Sequence, residues 1–195
     1  VTTIRGTTRL AAVLGWPIRH SRSPELLGAA FAAAGLDAVM VPLAVPPADL
    51  PTVVAALRAV GALGASVTAP HKQAVVACCD ELGPAARTIG AVNCLAFADG
   101  RVIGHNTDGD GFADALAAAG VSLRGKRTVL LGAGGAARAV AYGVREGRAI
   151  EVIARRPAEV GWALAWPWQA EHLRDAFARA DLVVDCTSTA LDEAA

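Results

Sequence analysis

Two α/β domains in series are the fold class that this sequence predicts, and three observations carry it. Short β-branched runs alternate with Ala/Leu-rich stretches along the chain, which is the rhythm of strands joined by crossover helices in a parallel sheet. That rhythm restarts near Gly125-Lys126-Arg127, where a fresh strand run meets a glycine-rich turn. The chain of 195 residues, 54% of them apolar, is long enough and greasy enough for two small α/β cores.

In order along the chain, strands are expected at 10–14, 38–42, 64–68, 94–98, 128–131, 150–154 and 182–186. Helices are expected at 24–34, 50–60, 71–79, 109–119, 136–146 and 172–180. Ser23 before Pro24 reads as an N-cap followed by proline at the first helical position. The domain junction is placed near Asn106–Asp108, giving domains 1–107 and 108–195. One stretch fits poorly. Between Arg155 and Asp181 a second crossover helix and a third strand should both fit, and a crossover takes about a dozen residues or more. Only P-A-E-V-G-W-A-L-A-W-P-W precedes the next helix, so this region is either degenerate or short of residues. Trp162, Trp166 and Trp168 have no functional reading. The chain lacks an initial Met and stops at residues 191–195, just past a strand-like run. Further C-terminal residues are therefore expected, which makes the second domain incomplete.

Lys+Arg and Asp+Glu are both 18, a formal net charge of zero. Such a balance offers no basic field for a nucleic-acid backbone and no polybasic run for an anionic membrane. No apolar stretch approaches about 18 residues, and the first ten residues lack a signal peptide's apolar core. Neither nucleic acid nor membrane is expected as a partner. Cys78, Cys79, Cys94 and Cys186 show no C-x-x-C or zinc-like spacing. They read as small buried residues of a reducing compartment, the cytoplasm by default, and no metal is expected.

Val129-Leu130-Leu131 runs into Gly132-Ala133-Gly134-Gly135-Ala136-Ala137 and then into a helical stretch. This is the G-x-G-x-x-[GA] form in the setting it requires, after a strand and opening a helix. Glycines allow a tight turn and a close approach to a pyrophosphate, and the helix start adds unpaired N–H groups. A plain strand-to-helix turn is the alternative. About 20 residues on, an NAD enzyme usually places an acid for the ribose hydroxyl. Here Ile153-Ala154-Arg155-Arg156 stands instead. Guanidinium groups suit a 2′-phosphate, so NADP is favoured over NAD, unless Arg155 and Arg156 are merely solvated.

Four segments of the first half carry polar residues at strand or loop ends. In Gly15-Trp16-Pro17-Ile18-Arg19-His20-Ser21-Arg22-Ser23-Pro24, capping accounts for Ser23 but leaves Ser21 free to present a hydroxyl to a carboxylate. In Ser66-Val67-Thr68-Ala69-Pro70-His71-Lys72, Lys72 falls in an expected first helical turn, where a cation opposes the helix dipole. A surface lysine is the bland alternative. In Ile89-Gly90-Ala91-Val92-Asn93, Asn93 offers donor and acceptor together, or simply caps a turn. In Gly104-His105-Asn106-Thr107-Asp108-Gly109-Asp110-Gly111-Phe112, the acidic spacing imitates a calcium loop. Its twelfth position is Ala117, so the bidentate glutamate is lacking and calcium is rejected.

Together these segments resemble the shikimate dehydrogenase family, whose patterns G-x-P-x-x-H-S-x-S-P, N-V-T-x-P-x-K, G-A-V-N and N-T-D-G occur in this order before the glycine loop. The resemblance covers essentially the whole chain. It implies an N-terminal substrate-binding domain and a C-terminal Rossmann-type NADP-binding domain. It implies NADP-dependent reversible reduction of 3-dehydroshikimate to shikimate by a monomer or homodimer. Ser21 and Ser23 would hold the substrate carboxylate; Thr68, Asn93 and Asp108 would hold ring hydroxyls; Ser66, at the place of the family's Asn, and Lys72 would also line the substrate site; Lys72 and Asp108 would be the catalytic pair. The cofactor would meet Gly132, Ala133, Gly134, Gly135, Ala136, Arg155, Arg156 and Thr187, the last from Asp185-Cys186-Thr187-Ser188, which is similar to the family's N-A-T-S. The chain departs from the pattern at Leu27 and Gly28, where His and Asn are usual, at Ser66 and Ala154, each in place of Asn, and at Asp185. The family's C-terminal helices, with a substrate-binding Gln, are not in this chain. Ser66 favours a quinate or amino-substituted analogue as an alternative substrate. A non-catalytic ligand-sensing relative is the alternative of another class, and the presence of both Lys72 and Asp108 argues against it.

Overall fold

Once past its first two residues, the run Arg9–Gly15 is buried throughout, as a strand must be when both faces of its sheet are covered. In the computed structural model, which describes residues 3–187, this run is β1. The chain divides into two units, the first ending at Asn106 and the second beginning at Thr107.

In the first unit β1 leads through α1 (Ser23–Ala33) to β2 (Ala38–Ala44), then through α2 (Leu50–Ala59) to β3 (Gly64–Val67). The second of these helices buries Leu50, Val54 and Leu57, an i, i+4, i+7 stripe. Beyond a 3-10 helix at Ala74–Cys78 come the two-residue β4 (Glu81–Leu82), the short α3 (Pro84–Ile89), β5 (Cys94–Ala98) and β6 (Arg101–His105). The strand order is β2-β1-β3-β5-β6-β4. β2 and β3 run parallel to β1, whereas β5 is antiparallel to both β3 and β6. The first sheet is therefore mixed, where the strand–helix alternation predicted a parallel one. The cause is a tight hairpin between β5 and β6. Asp99 at φ 51° and Gly100 at φ 72° occupy its two left-handed positions and reverse the chain without a crossover. One core of Leu14, Leu50, Val54, Val67, Val75, Val92 and Leu95 lies beneath these elements. Each such side chain contributes about 1.5–3 kcal/mol when fully buried.

The helix expected over 71–79 does not form. In an α-helix the amide of Val76 would need the carbonyl of Lys72, but that carbonyl accepts from Val92 at 2.7 Å, and Val76 donates to Gln73 at 3.2 Å. A long-range hydrogen bond pre-empts the local one, and only the 3-10 helix remains. Lys72 accordingly lies in a turn, and the dipole argument made for it from a first helical turn does not apply.

The second unit contains α4 (Asp108–Ala118), β7 (Arg127–Leu131), α5 (Gly135–Gly143), β8 (Ala149–Ala154), β9 (Leu164–Pro167), α6 (Ala170–Arg179) and β10 (Leu182–Asp185). Its sheet is parallel throughout, in the order β10-β7-β8-β9. This is half of the Rossmann arrangement, with the strand order reversing between β7 and β10. The poorly fitting stretch resolves here without a helix. Residues 155–163 cross from β8 to β9 through a 3-10 turn at Pro157–Glu159. Because β9 is a short edge strand, the crossover has little length to span. Val160 and Trp162 cover the core of Leu130, Val140, Val144 and Val152 in a helix's place.

Trp162 and Trp166 pack against the cores of the second unit. The Arg138 guanidinium lies 5.6 Å from the Trp162 ring centroid. Trp166 donates from Nε1 to Glu151 Oε2 at 3.1 Å and stacks on His172. Trp168 is exposed.

Candidate active site

Parallel pairing of β1 with β3 puts Leu14 opposite Val67, so the two loops that leave these strands emerge side by side. The Thr68 amide donates to Leu14 at 2.9 Å, and the Trp16 amide donates to Ala69 at 3.1 Å. The approach is close enough that a Cβ on Gly15 would lie 2.6 Å from the Thr68 methyl, which only glycine avoids. The peptide bonds Trp16–Pro17 and Ala69–Pro70 are both cis.

Ser21 and Ser23 are half-buried at the head of α1. Ser23 is the first residue of the helix and makes no capping bond, contrary to the N-cap expected. Its own amide donates to the Ser21 hydroxyl at 3.3 Å. The two hydroxyls therefore share one turn, where the helix's first N–H groups also emerge, an arrangement suited to an anion.

The third segment is bonded to the second. Val67 donates to the carbonyl of Asn93 at 2.7 Å, and Val92 donates to that of Lys72 at 2.7 Å. Asn93 in turn donates from its amide to His105 at 3.0 Å, which brings in the start of the fourth segment. Ser66, Thr68, Lys72 and Asn93 are all half-buried at this one corner of the first unit.

Two residues that sequence reasoning passed over lock the corner. His71 is 1% exposed, and its Nε2 lies 2.8 Å from the Val45 carbonyl. A carbonyl only accepts, so Nε2 carries the proton. Val45 donates to Gly15 at 3.0 Å, so the histidine ties the lysine turn back to the end of β1. Asn106, 5% exposed, donates from Nδ2 to Ala91 at 3.0 Å. The signal for His71 was its place between Pro70 and Lys72; for Asn106, its place ahead of Thr107-Asp108.

In the second unit Asp108 opens α4, with Asp110 in the same turn, where acids complement the helix dipole. The glycine-rich loop joins β7 to α5. Gly132 has φ 96°, and a Cβ there would stand 3.2 Å from the Cys186 carbonyl. Gly134 precedes α5 in extended geometry, and a Cβ there would meet nothing within 4 Å. Its face is open for a pyrophosphate to approach the backbone, so Gly132, Ala133, Gly134, Gly135 and Ala136 fit a dinucleotide.

Thr187 follows β10 beside this loop. Its amide donates to Asp185 at 2.9 Å, and that bond, with one from the Thr187 side chain, lowers the Asp185 carboxyl from its ordinary value. Burial, with a further push from Asp185, drives the Cys186 thiol up to about 11, so no thiolate stands at the loop near neutral pH. Ser188 lies outside the described residues. Arg155 and Arg156 follow β8, both exposed. Arg156 is paired with Glu159 at 3.1 Å, whereas Arg155 makes no ion pair among the described residues. Lys72 belongs to the first unit and Asp108 to the second.

Known proteins are similar to this chain in sequence and in fold. The family model of the shikimate dehydrogenase substrate binding domain matches residues 13–95. A shikimate dehydrogenase (NADP(+)) of Symbiobacterium thermophilum is 43% identical over 206 residues, a match spanning 97% of this chain and 70% of that protein. The crystal structure of shikimate dehydrogenase from Aquifex aeolicus aligns with a TM-score of 0.87 at 30% identity, covering 95% of this chain and 71% of that one. That of shikimate 5-dehydrogenase from Thermus thermophilus, in complex with NADP(H) and shikimate, aligns with a TM-score of 0.79 at 37% identity, covering 92% and 69%.

Proposed function

This chain belongs to the shikimate dehydrogenase family of oxidoreductases, and we propose that it catalyses the NADP-dependent, reversible reduction of 3-dehydroshikimate to shikimate. The observation that carries the reading is the bonding of the Lys72 turn to the Asn93 segment, through Val92 to Lys72 and Val67 to Asn93, both at 2.7 Å. It gathers a cation, two hydroxyls and an amide at one corner, the chemistry that a polyhydroxylated ring requires.

In this reading Ser21 and Ser23 donate to the substrate carboxylate, and Ser66, Thr68 and Asn93 receive ring hydroxyls. Lys72 moves the proton at the reacting oxygen, and Asp108 orients that hydroxyl and Lys72. Gly132, Ala133, Gly134, Gly135 and Ala136 would hold the pyrophosphate, with Thr187 beside them. Arg155 and Arg156 would meet the 2′-phosphate. When bound, the nicotinamide nucleotide supplies hydride transfer to or from the ring carbon.

Ser66 supports a second reading of the substrate. It is shorter than the asparagine of the family pattern and leaves room beside the ring, which suits quinate or an amino-substituted analogue. Steady-state turnover of shikimate, quinate and aminoshikimate, each with NADP and with NAD, tests both readings. Turnover of shikimate with NADP is the expected result. Saturable binding without turnover of any alcohol would point instead to a ligand-sensing relative.

A further inference from the structure

α4 and α5 touch backbone to backbone. Gly109, buried in the first turn of α4, has no space for a side chain. A Cβ there would run into the Ala139 carbonyl oxygen of α5 and lie 3.2 Å from both the Gly143 nitrogen and Tyr142 Cδ1. The contact is reciprocal. A Cβ on Gly143 would run into the Gly109 carbonyl oxygen, with the Gly109 carbonyl carbon 2.8 Å and Cα 3.2 Å away. Helix separation is set by the side chains at the crossing, and here no side chain intervenes. Two residues along α4, a Cβ on Gly111 would meet nothing within 4 Å. Packing thus demands glycine at one position of this turn and not at the other.

The crossing has a consequence for Asp108, whose backbone adjoins Gly109. α5 opens directly from the loop of Gly132, Ala133 and Gly134, and the first turn of α4 is clamped to it. We propose that Gly109, with Gly143 opposite, is a positioning residue that registers Asp108 to the dinucleotide-binding helix. The carboxylate is therefore carried by the cofactor-binding unit, while Lys72 is carried by the other. This rests on the functional reading above, in which Asp108 acts at the reacting oxygen.

Gly109→Ala should lower kcat about 10–10²-fold, the effect of roughly an ångström's misplacement, and leave the NADP dissociation constant within about threefold. In an Asp108→Asn background the same substitution should cost almost nothing further, because the carboxylate it displaces is already gone. Gly111→Ala should behave as the parent. Gly143→Ala strains the contact from the other helix and should reproduce Gly109→Ala. Hydrogen exchange on the unaltered chain needs no variant to fold. The Gly111 amide, which donates to Thr107 at 3.0 Å, and the Arg138 amide, which donates to Gly134 at 3.1 Å, should gain protection together when NADP is added. Unlinked responses of these two amides would overturn the inference, as would an undiminished kcat in Gly109→Ala or a full additive loss in the Asp108→Asn background. Asp108→Asn retaining normal turnover would overturn the functional reading and the inference with it.

Discussion

The amide of Val92 donates to the carbonyl of Lys72 at 2.7 Å, fastening the turn that carries the lysine to the residue preceding Asn93. Because the bond uses only backbone atoms, it does not depend on the lysine side chain. Lys72→Ala should therefore still fold, and lose kcat by about 10²–10⁴, the usual effect of deleting an acid–base group, with a smaller change in KM. Steady-state kinetics beside a melting curve separate the two effects. Near-normal turnover would remove Lys72 from the mechanism.

His71 holds the same turn from beneath. His71→Ala strands the Val45 carbonyl and opens a cavity at a position 1% exposed. A loss of about 2–4 kcal/mol of stability is expected by denaturant titration. His71→Phe fills the cavity but keeps the stranded carbonyl, so it should recover only part of that loss. Full recovery would mean that packing, and not the hydrogen bond, is what the histidine supplies.

Arg155 is exposed at the end of β8, where a 2′-phosphate would lie. A charge-assisted bond of about 1.5–3 kcal/mol corresponds to a rise of roughly 10–10²-fold in the NADP KM of Arg155→Ala, with activity on NAD left nearly unchanged. Arg156, already paired with Glu159, should matter less. An equal loss with both nucleotides would assign Arg155 a structural role.

Much of this arrangement was legible in the chain, and what was missed has definite causes. β1, β7 and β8 announce themselves as apolar runs, and the glycine loop shows itself by its place between strand and helix. The β5–β6 hairpin was also written locally, in Asp99-Gly100, but an expectation of crossover helices hid it. The missing helix at 71–79 was not legible, since the competing donor, Val92, is remote in sequence. Nor does anything local mark Gly109 rather than Gly111 as the glycine that touches α5. Ser21 and Ser23 were picked out, yet their mutual bond replaces the cap that Ser23 alone predicted.

Ser66 lies in β3 between Val13 of β1 and Cys94 of β5. Asparagine there would restore a side-chain amide beside the ring. A neutral hydrogen bond of about 1 kcal/mol corresponds to a shift of roughly fivefold in the kcat/KM ratio of shikimate over quinate or aminoshikimate in Ser66→Asn. The parent should turn over at least one of the two analogues. Rejection of both by the parent, or an unmoved ratio in the variant, would dissociate Ser66 from substrate choice.

Hydride transfer to the ring is the central claim, and isotope transfer tests it most directly. The chain is incubated with 3-dehydroshikimate and NADPH carrying deuterium at the transferable nicotinamide position, and the product is weighed by mass spectrometry. The expected product is shikimate bearing one deuterium on the carbon that carried the carbonyl. Unlabelled shikimate, or tight binding of both compounds with no product, would contradict the account.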